Sequence, residues 1–195
     1  MARPLAVAIT GGIGAGKSEA LAAFKRHGAA TVSSDEIVHR LLGEDEDVRL
    51  QLRERFGDRV FDDIGQVDRG AIARRVFADR NELDWLERLL HPRVVQEYLR
   101  WRDNLGGLPN PPQVCVTEVP LLYEVGGDKR FDKVVVITAP RGIRAERSHA
   151  AGDLREARLI PDEEKAKRAD FVYVNDGSLE ELDEFVAGVM QALNQ

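Results

Sequence analysis

The stretch Gly11-Gly12-Ile13-Gly14-Ala15-Gly16-Lys17-Ser18 sets four glycines ahead of a lysine and a hydroxyl. Glycine gives up more backbone entropy on ordering than any other residue and is a poor choice inside helices and strands. A run of it directly before a helix-favouring segment therefore marks a place that needs backbone without side chains. Every fixed position of G-x-x-x-x-G-K-[ST] is filled, by Gly11, Gly16, Lys17 and Ser18. In that pattern the backbone N–H groups of Gly12, Ile13, Gly14, Ala15 and Gly16 curl round a phosphate, and the helix that follows turns its positive end to the same anion. The lysine bridges the β- and γ-phosphates, and the serine hydroxyl ligates Mg²⁺. The dinucleotide pattern G-x-G-x-x-G fails here, because after Gly12 and Gly14 its third glycine falls on Lys17. The strand expected before the loop and the helix expected after it set the segment apart from a plain glycine-rich turn. The reading is a nucleoside triphosphate site.

The second residue with chemistry in reach is Asp35, just past the apolar run "AATVSS". Residues at the carboxyl ends of parallel strands face the ligand crevice, where a carboxylate accepts a proton from an attacking hydroxyl. The same residue reads equally well as structural: Ser33 and Glu36 have the spacing of a capping box, and an acid in the first helical turn suits the helix dipole.

These residues need elements to hold them. "LAVAIT" (5–10) is a short, near-continuous apolar run, the pattern of a strand buried on both faces. "SEALAAFKRHG" reads as a helix with Leu21 and Phe24 on one face and Gly28 as its stop. "AATVSS" (29–34) is a second strand and "SDEIVHRLL" opens another helix. From Glu44 to Arg102 charged, helix-favouring sequence dominates, broken by "GDRVFDDIGQVDRG" and Pro92, and predicts several helices with no strong strand. "NLGGLPNPP" (104–112) is a loop. Three more apolar strands are expected over 114–122, 133–140 and 171–175, with an arginine-rich helical stretch over 141–168. The last helix starts at Ser178, with Glu181 completing a capping box. Strands separated by helical segments predict an α/β fold, a parallel sheet flanked by helices. Residues 1–43, 113–140 and 169–195 form its core, 44–112 a helical insertion, and 141–168 a further helical segment.

Bulk properties narrow the class. The net charge of −6, from 28 Lys+Arg against 34 Asp+Glu, argues against general nucleic-acid binding. No segment is long and apolar enough to span a membrane, and "MARPLAVAIT" runs straight into the glycine loop, too short for a signal peptide. One cysteine, Cys115, excludes an internal disulfide and fits a reducing, cytoplasmic setting; its apolar surroundings read as a buried, inert thiol.

Four segments carry a narrower resemblance. "ITGGIGAGKS" with "SSDEIVHRLL", "DRGAIARRVFADRNELDWLERLLHPRV" (68–94), "VTEVPLLYEVGGDKRFDKVVVITAP" (116–140) and "PDEEKAKRADFVYVNDGSLEEL" (161–182) resemble the dephospho-coenzyme A kinases. "LLHPRV" and "VPLLYE" are not general features of phosphate-loop proteins. The resemblance implies a P-loop kinase fold with a helical substrate-binding insertion and a helical lid. It implies transfer of the γ-phosphoryl group of ATP, with Mg²⁺, to the ribose 3′-hydroxyl of the small molecule dephospho-CoA.

Under it Asp35 aligns with the base, and Lys17 and a lid arginine stabilise charge. Arg147 and Arg155 align with the lid arginines. Arg69, Arg74 and His91 fall in the substrate-side block; each arginine reads equally as a solvated helix residue, and His91, before a proline between helices, equally as a packing residue. Asn175 aligns with an adenine contact, and Glu118 stands at a metal-side carboxylate usually supplied by aspartate. Ser33 replaces a usual acid, Leu159 a usual glutamine, and the stretch between Arg147 and Arg155 is shorter than in the family. Two other readings remain beside it: a P-loop kinase of a nucleotide or small polyol, and an ATP-binding regulator without catalysis.

Overall fold

The computed structural model describes residues 3–147 and 159–194. In chain order the elements are β1 (Leu5–Thr10), α1 (Lys17–Arg26), β2 (Ala30–Ser33), α2 (Ser34–Glu44), α3 (Glu46–Phe56), α4 (Arg69–Ala78), α5 (Arg80–Gly106), β3 (Val114–Glu118), β4 (Lys133–Thr138), α6 (Arg141–Arg147), α7 (Asp162–Ala166), β5 (Phe171–Val174) and α8 (Leu179–Leu193). The chain divides into two compact units, one formed by the chain up to Ser33 and from Arg102 onward, the other by Ser34–Trp101.

The first unit is a five-stranded parallel sheet in the order β2-β3-β1-β4-β5. The central strands are apolar on both faces because helices cover both. Val7, Ile9, Val116, Val135 and Ile137 are fully buried, and α1 and α8 pack Ala20, Ala23, Phe24, Leu182, Val186 and Val189 against them. Leu21 packs on the margin of this cluster. α8 starts with the capping box that its sequence predicts: Ser178 Oγ accepts from the Glu181 N–H at 3.2 Å, and Glu181 Oε2 accepts from the Ser178 N–H at 2.8 Å. The register pairs Ile9 with Glu118 and Glu118 with Ser33, so the carboxyl ends of β1, β3 and β2 come level.

Two expectations from the sequence need correction. β3 stops at Glu118 rather than running to Leu122. Pro120 has no N–H to give a neighbouring strand, and its carbonyl is taken by Thr10 Oγ1 at 3.2 Å and Lys165 Nζ at 3.4 Å, so the chain turns there. Pro92 does not divide the helical region. It lies inside the 27-residue helix α5, which also runs through Asn104 to Gly106. Proline removes one helical hydrogen bond and crowds the carbonyl of the preceding turn; next to it Arg93 Nη1 donates to the Leu89 carbonyl at 2.7 Å. Burial of Leu89 and Leu90 before the proline and of Tyr98 after it holds the helix on both sides of the break.

Within the second unit, Asp45 and Asp68 cap α3 and α4 by accepting from the N–H groups of Val48 and Ala71, each at 3.0 Å. The segment between these helices closes through an antiparallel bridge of Phe61 with Val67 and through Asp62, which accepts from Ile64 and Gln66. Phe56 meets Trp85 edge-on with ring centroids 5.3 Å apart, which packs α3 on α5.

Cys115 lies buried in β3, and burial pushes its thiol up to about 11. The folded chain should therefore react with a thiol reagent at about pH 8 at least ~100-fold more slowly than the urea-unfolded chain. Equal rates would show that the thiol is neither buried nor raised.

Candidate active site

The register brings Thr10 of β1 beside Val136 of β4, so Gly11, just after β1, lies next to Ile137 of β4. Gly11 takes φ +143°, and a Cβ there would run into the Ile137 carbonyl oxygen. At the other end of the loop Gly16 takes φ +96°, and a Cβ would run into the Asn175 carboxamide. Glycine is thus required at both ends, by backbone conformation and by space. Lys17 begins α1 with its side chain folded back, Nζ donating to the Gly12 carbonyl at 2.9 Å, and is buried. Gly12, Ile13, Gly14, Ala15, Gly16, Lys17 and Ser18 therefore form one turn of backbone at a helix N-terminus with an ammonium beside it, an arrangement suited to a phosphate chain.

The Ser18 hydroxyl donates to Glu118 Oε2 at 3.2 Å. Glu118 ends β3 and is buried. The two contribute only oxygen, the donor type that hard divalent cations take. Among the described residues no group of three or more His, Cys, Asp and Glu side chains gathers at a metal-binding distance. A cation at this pair would thus fill most of its shell from phosphate and water, as Mg²⁺ does.

Asn175 follows β5 directly and is buried. Its Nδ2 donates to the Ala15 carbonyl at 2.9 Å, and its own carbonyl accepts from Arg147 Nη1 at 3.3 Å. Arg147 is the last residue of α6 and is exposed. Arg155 and the stretch between it and Arg147 lie outside the described residues.

Asp35 sits with Glu36 in the first turn of α2, exposed, two residues after β2 ends. It belongs to the second unit together with Arg69, Arg74 and His91. Arg69 Nη1 lies 3.4 Å from His39 Nδ1, and Arg74 pairs with Asp68 at 3.7 Å. His91 is exposed and lies within α5, not between two helices as its sequence context predicts.

A parallel sheet whose first strand leads through a glycine loop into a helix opening with lysine and serine defines a P-loop protein, built to hold a phosphate chain. Residues 5–181 match the dephospho-CoA kinase family. A dephospho-CoA kinase of Protochlamydia amoebophila is 37% identical over 198 residues, covering 96% of this chain and 95% of that protein. Among solved structures, one from Thermus thermophilus superposes with a TM-score of 0.78 at 33% identity, covering 98% of this chain and 99% of that one. Dephospho-CoA kinase from Campylobacter jejuni does so with a TM-score of 0.70 at 25% identity, covering 98% of each. The chain belongs to the dephospho-CoA kinase family, the kinases of the last step of coenzyme A biosynthesis. Among the described residues no helix is long and apolar enough to cross a membrane.

Two charged groups that the sequence does not single out lie beneath the site. Lys165 of α7 is 0% exposed; its Nζ meets Glu124 Oε1 at 2.9 Å and also the Pro120 carbonyl. Glu124 Oε1 accepts in addition from the Ile160 N–H at 2.8 Å. Removing one member of a buried pair strands the other charge. Lys165→Met should lower the unfolding free energy by about 3 kcal/mol in urea titration. The double variant Lys165→Met/Glu124→Leu should recover much of that loss. A double variant no more stable than the single would contradict a paired, buried charge.

Proposed function

We propose that the chain transfers the γ-phosphoryl group of ATP to the ribose 3′-hydroxyl of dephospho-CoA, acting in the cytoplasm. The observation that carries this reading is the hemmed glycine loop, with Lys17, Ser18 and Glu118 gathered at one end of the sheet, in a chain that matches the family over residues 5–181. The loop N–H groups and Lys17 hold and neutralise the phosphates. Ser18 and Glu118 hold Mg²⁺, which supplies further positive charge at the phosphates when bound. Asn175 borders the adenine.

Asp35 acts as the base. As the 3′-oxygen bonds to the γ-phosphorus, the bond from that phosphorus to the bridging oxygen of ADP breaks, and the hydroxyl proton passes to the Asp35 carboxylate. The helical unit takes the acceptor, with Arg69 and Arg74 meeting its phosphates and His91 contributing on the same side. From the end of α6, Arg147 stabilises the transferred group. Phosphoryl transfer asks mainly for positioning and charge, which these groups supply. Cys115, buried and held in its thiol form, takes no part and fits a reducing compartment.

Asp35→Asn should lower kcat with dephospho-CoA about 10³-fold while ATP affinity stays within about twofold of the parent. ADP release in a coupled assay and ATP binding without acceptor read the two separately. Unchanged turnover would remove Asp35 from the role of base.

A further inference from the structure

α6 carries a second arginine, Arg144, one turn before Arg147. Its position relative to the glycine loop is the closer of the two. A Cβ on Gly12 would run into Arg144 Nη1 and stand 3.3 Å from its Cζ, while a Cβ on Gly14 would stand 2.7 Å from the Arg144 carbonyl oxygen. Both the guanidinium and the main chain of Arg144 therefore lie directly against the loop. Arg147 Nη1, by contrast, bonds to the Asn175 carbonyl and would come no nearer than 3.9 Å to a Cβ on Gly16.

Gly12 is also the residue whose carbonyl holds Lys17 Nζ. Two cations thus converge on one loop residue, the ammonium at its carbonyl and the guanidinium at its Cα. The Arg144 side chain is only 19% exposed, and its Nη1 lies 3.6 Å from Asp162 Oδ2 at the start of α7. Burial pushes the Asp162 carboxyl up against the opposing pull of Arg144, Lys165 and Lys17. That carboxylate is a costly partner in its own setting, and a phosphate chain, with more charge and more acceptor oxygens, competes well for the same guanidinium.

We propose that Arg144 is a phosphate-contacting residue of this kinase, its guanidinium meeting the β- and γ-phosphates over Gly12 alongside the Lys17 ammonium. Asp162 positions the guanidinium and yields it to phosphate oxygens when nucleotide binds. The inference rests on the reading of the loop as an ATP site and deepens it: charge on the transferred group is met by an α6 residue that the sequence does not single out, in addition to Arg147. A planar fork against the phosphates stabilises them through two parallel hydrogen bonds, which the point charge of lysine supplies only in part.

The test compares Arg144→Gln and Arg144→Lys with the parent, by ATP and AMP binding without acceptor and by steady-state kinetics with dephospho-CoA. Arg144→Gln should weaken ATP about tenfold and leave AMP, which lacks the β- and γ-phosphates, within about twofold. It should lower kcat about 100-fold with little change in KM for dephospho-CoA, and Arg144→Lys should recover part of both losses. ATP affinity and kcat retained in Arg144→Gln would overturn the proposal, as would equal losses for ATP and AMP, the mark of a merely structural role. If Arg144→Gln does not fold, Arg144→Lys decides by the same ATP–AMP contrast. A parent chain that binds ATP yet leaves dephospho-CoA unphosphorylated would overturn the acceptor reading and not this one, because the nucleotide contrast is read without acceptor. A parent chain that does not bind ATP would overturn both.

Discussion

The glycine loop is enclosed by neighbouring main chain and by a few fixed side chains. On one side stands the Ile137 carbonyl at the end of β4, on another the Arg144 carbonyl of α6, and at the start of α1 the Asn175 carboxamide. A Cβ on Gly11, Gly14 or Gly16 would not fit that volume, so the loop is bare backbone at those positions. This crowding depends on the order of the sheet. Because β4 lies directly beside β1 in parallel register, Gly11, the residue after β1, meets Ile137 within β4, and the loop leaves β1 already pressed against its neighbour. The enclosure fixes where the N–H groups of the loop point before any anion arrives, which is what preorganised electrostatic stabilisation requires.

A second constraint acts at the end of β3. The strand delivers Glu118 level with Ile9, within reach of Ser18, and then must stop. Pro120 ends the pairing, and its carbonyl takes a hydrogen bond from Thr10, the last residue before the loop, and another from Lys165. Lys165 in turn is neutralised by Glu124, which also caps the Ile160 N–H. A short helix that carries Asp162 beside the loop is thereby tied to the turn that follows Glu118. Buried ion pairs of this kind add little net stability over apolar packing; this one sets the position of groups on either side of the loop.

Much of this was legible in the residues. Continuous apolar runs mark β1, β3 and β4 because the middle of a parallel sheet is buried on both faces, and the capping box at Ser178 and Glu181 has local chemistry that nothing else in the fold overrides. Lys17 and Ser18 are legible because their spacing from the glycines is fixed by the phosphate chemistry itself. Pro92 misleads: its cost to a helix is local, while the burial of Leu89, Leu90 and Tyr98 that offsets it depends on the packing of the folded chain. Lys165 is hidden for a similar reason. In "EEKAKRAD" it looks like Lys167 and Arg168, and only the fold separates the fully buried lysine from its solvated neighbours. Arg144 shares its short helix with Arg141 and Arg147, and no spacing rule says which of the three faces the loop.

The function turns on the acceptor and on the atom that is phosphorylated. The most direct measurement is to incubate the purified chain with ATP, Mg²⁺ and dephospho-CoA and to identify the product by phosphorus NMR and mass spectrometry. The account predicts one phosphate added at the ribose 3′-hydroxyl, with ADP formed in equal amount. Dephospho-CoA left unchanged under conditions in which the chain phosphorylates a nucleotide or a small polyol would contradict it.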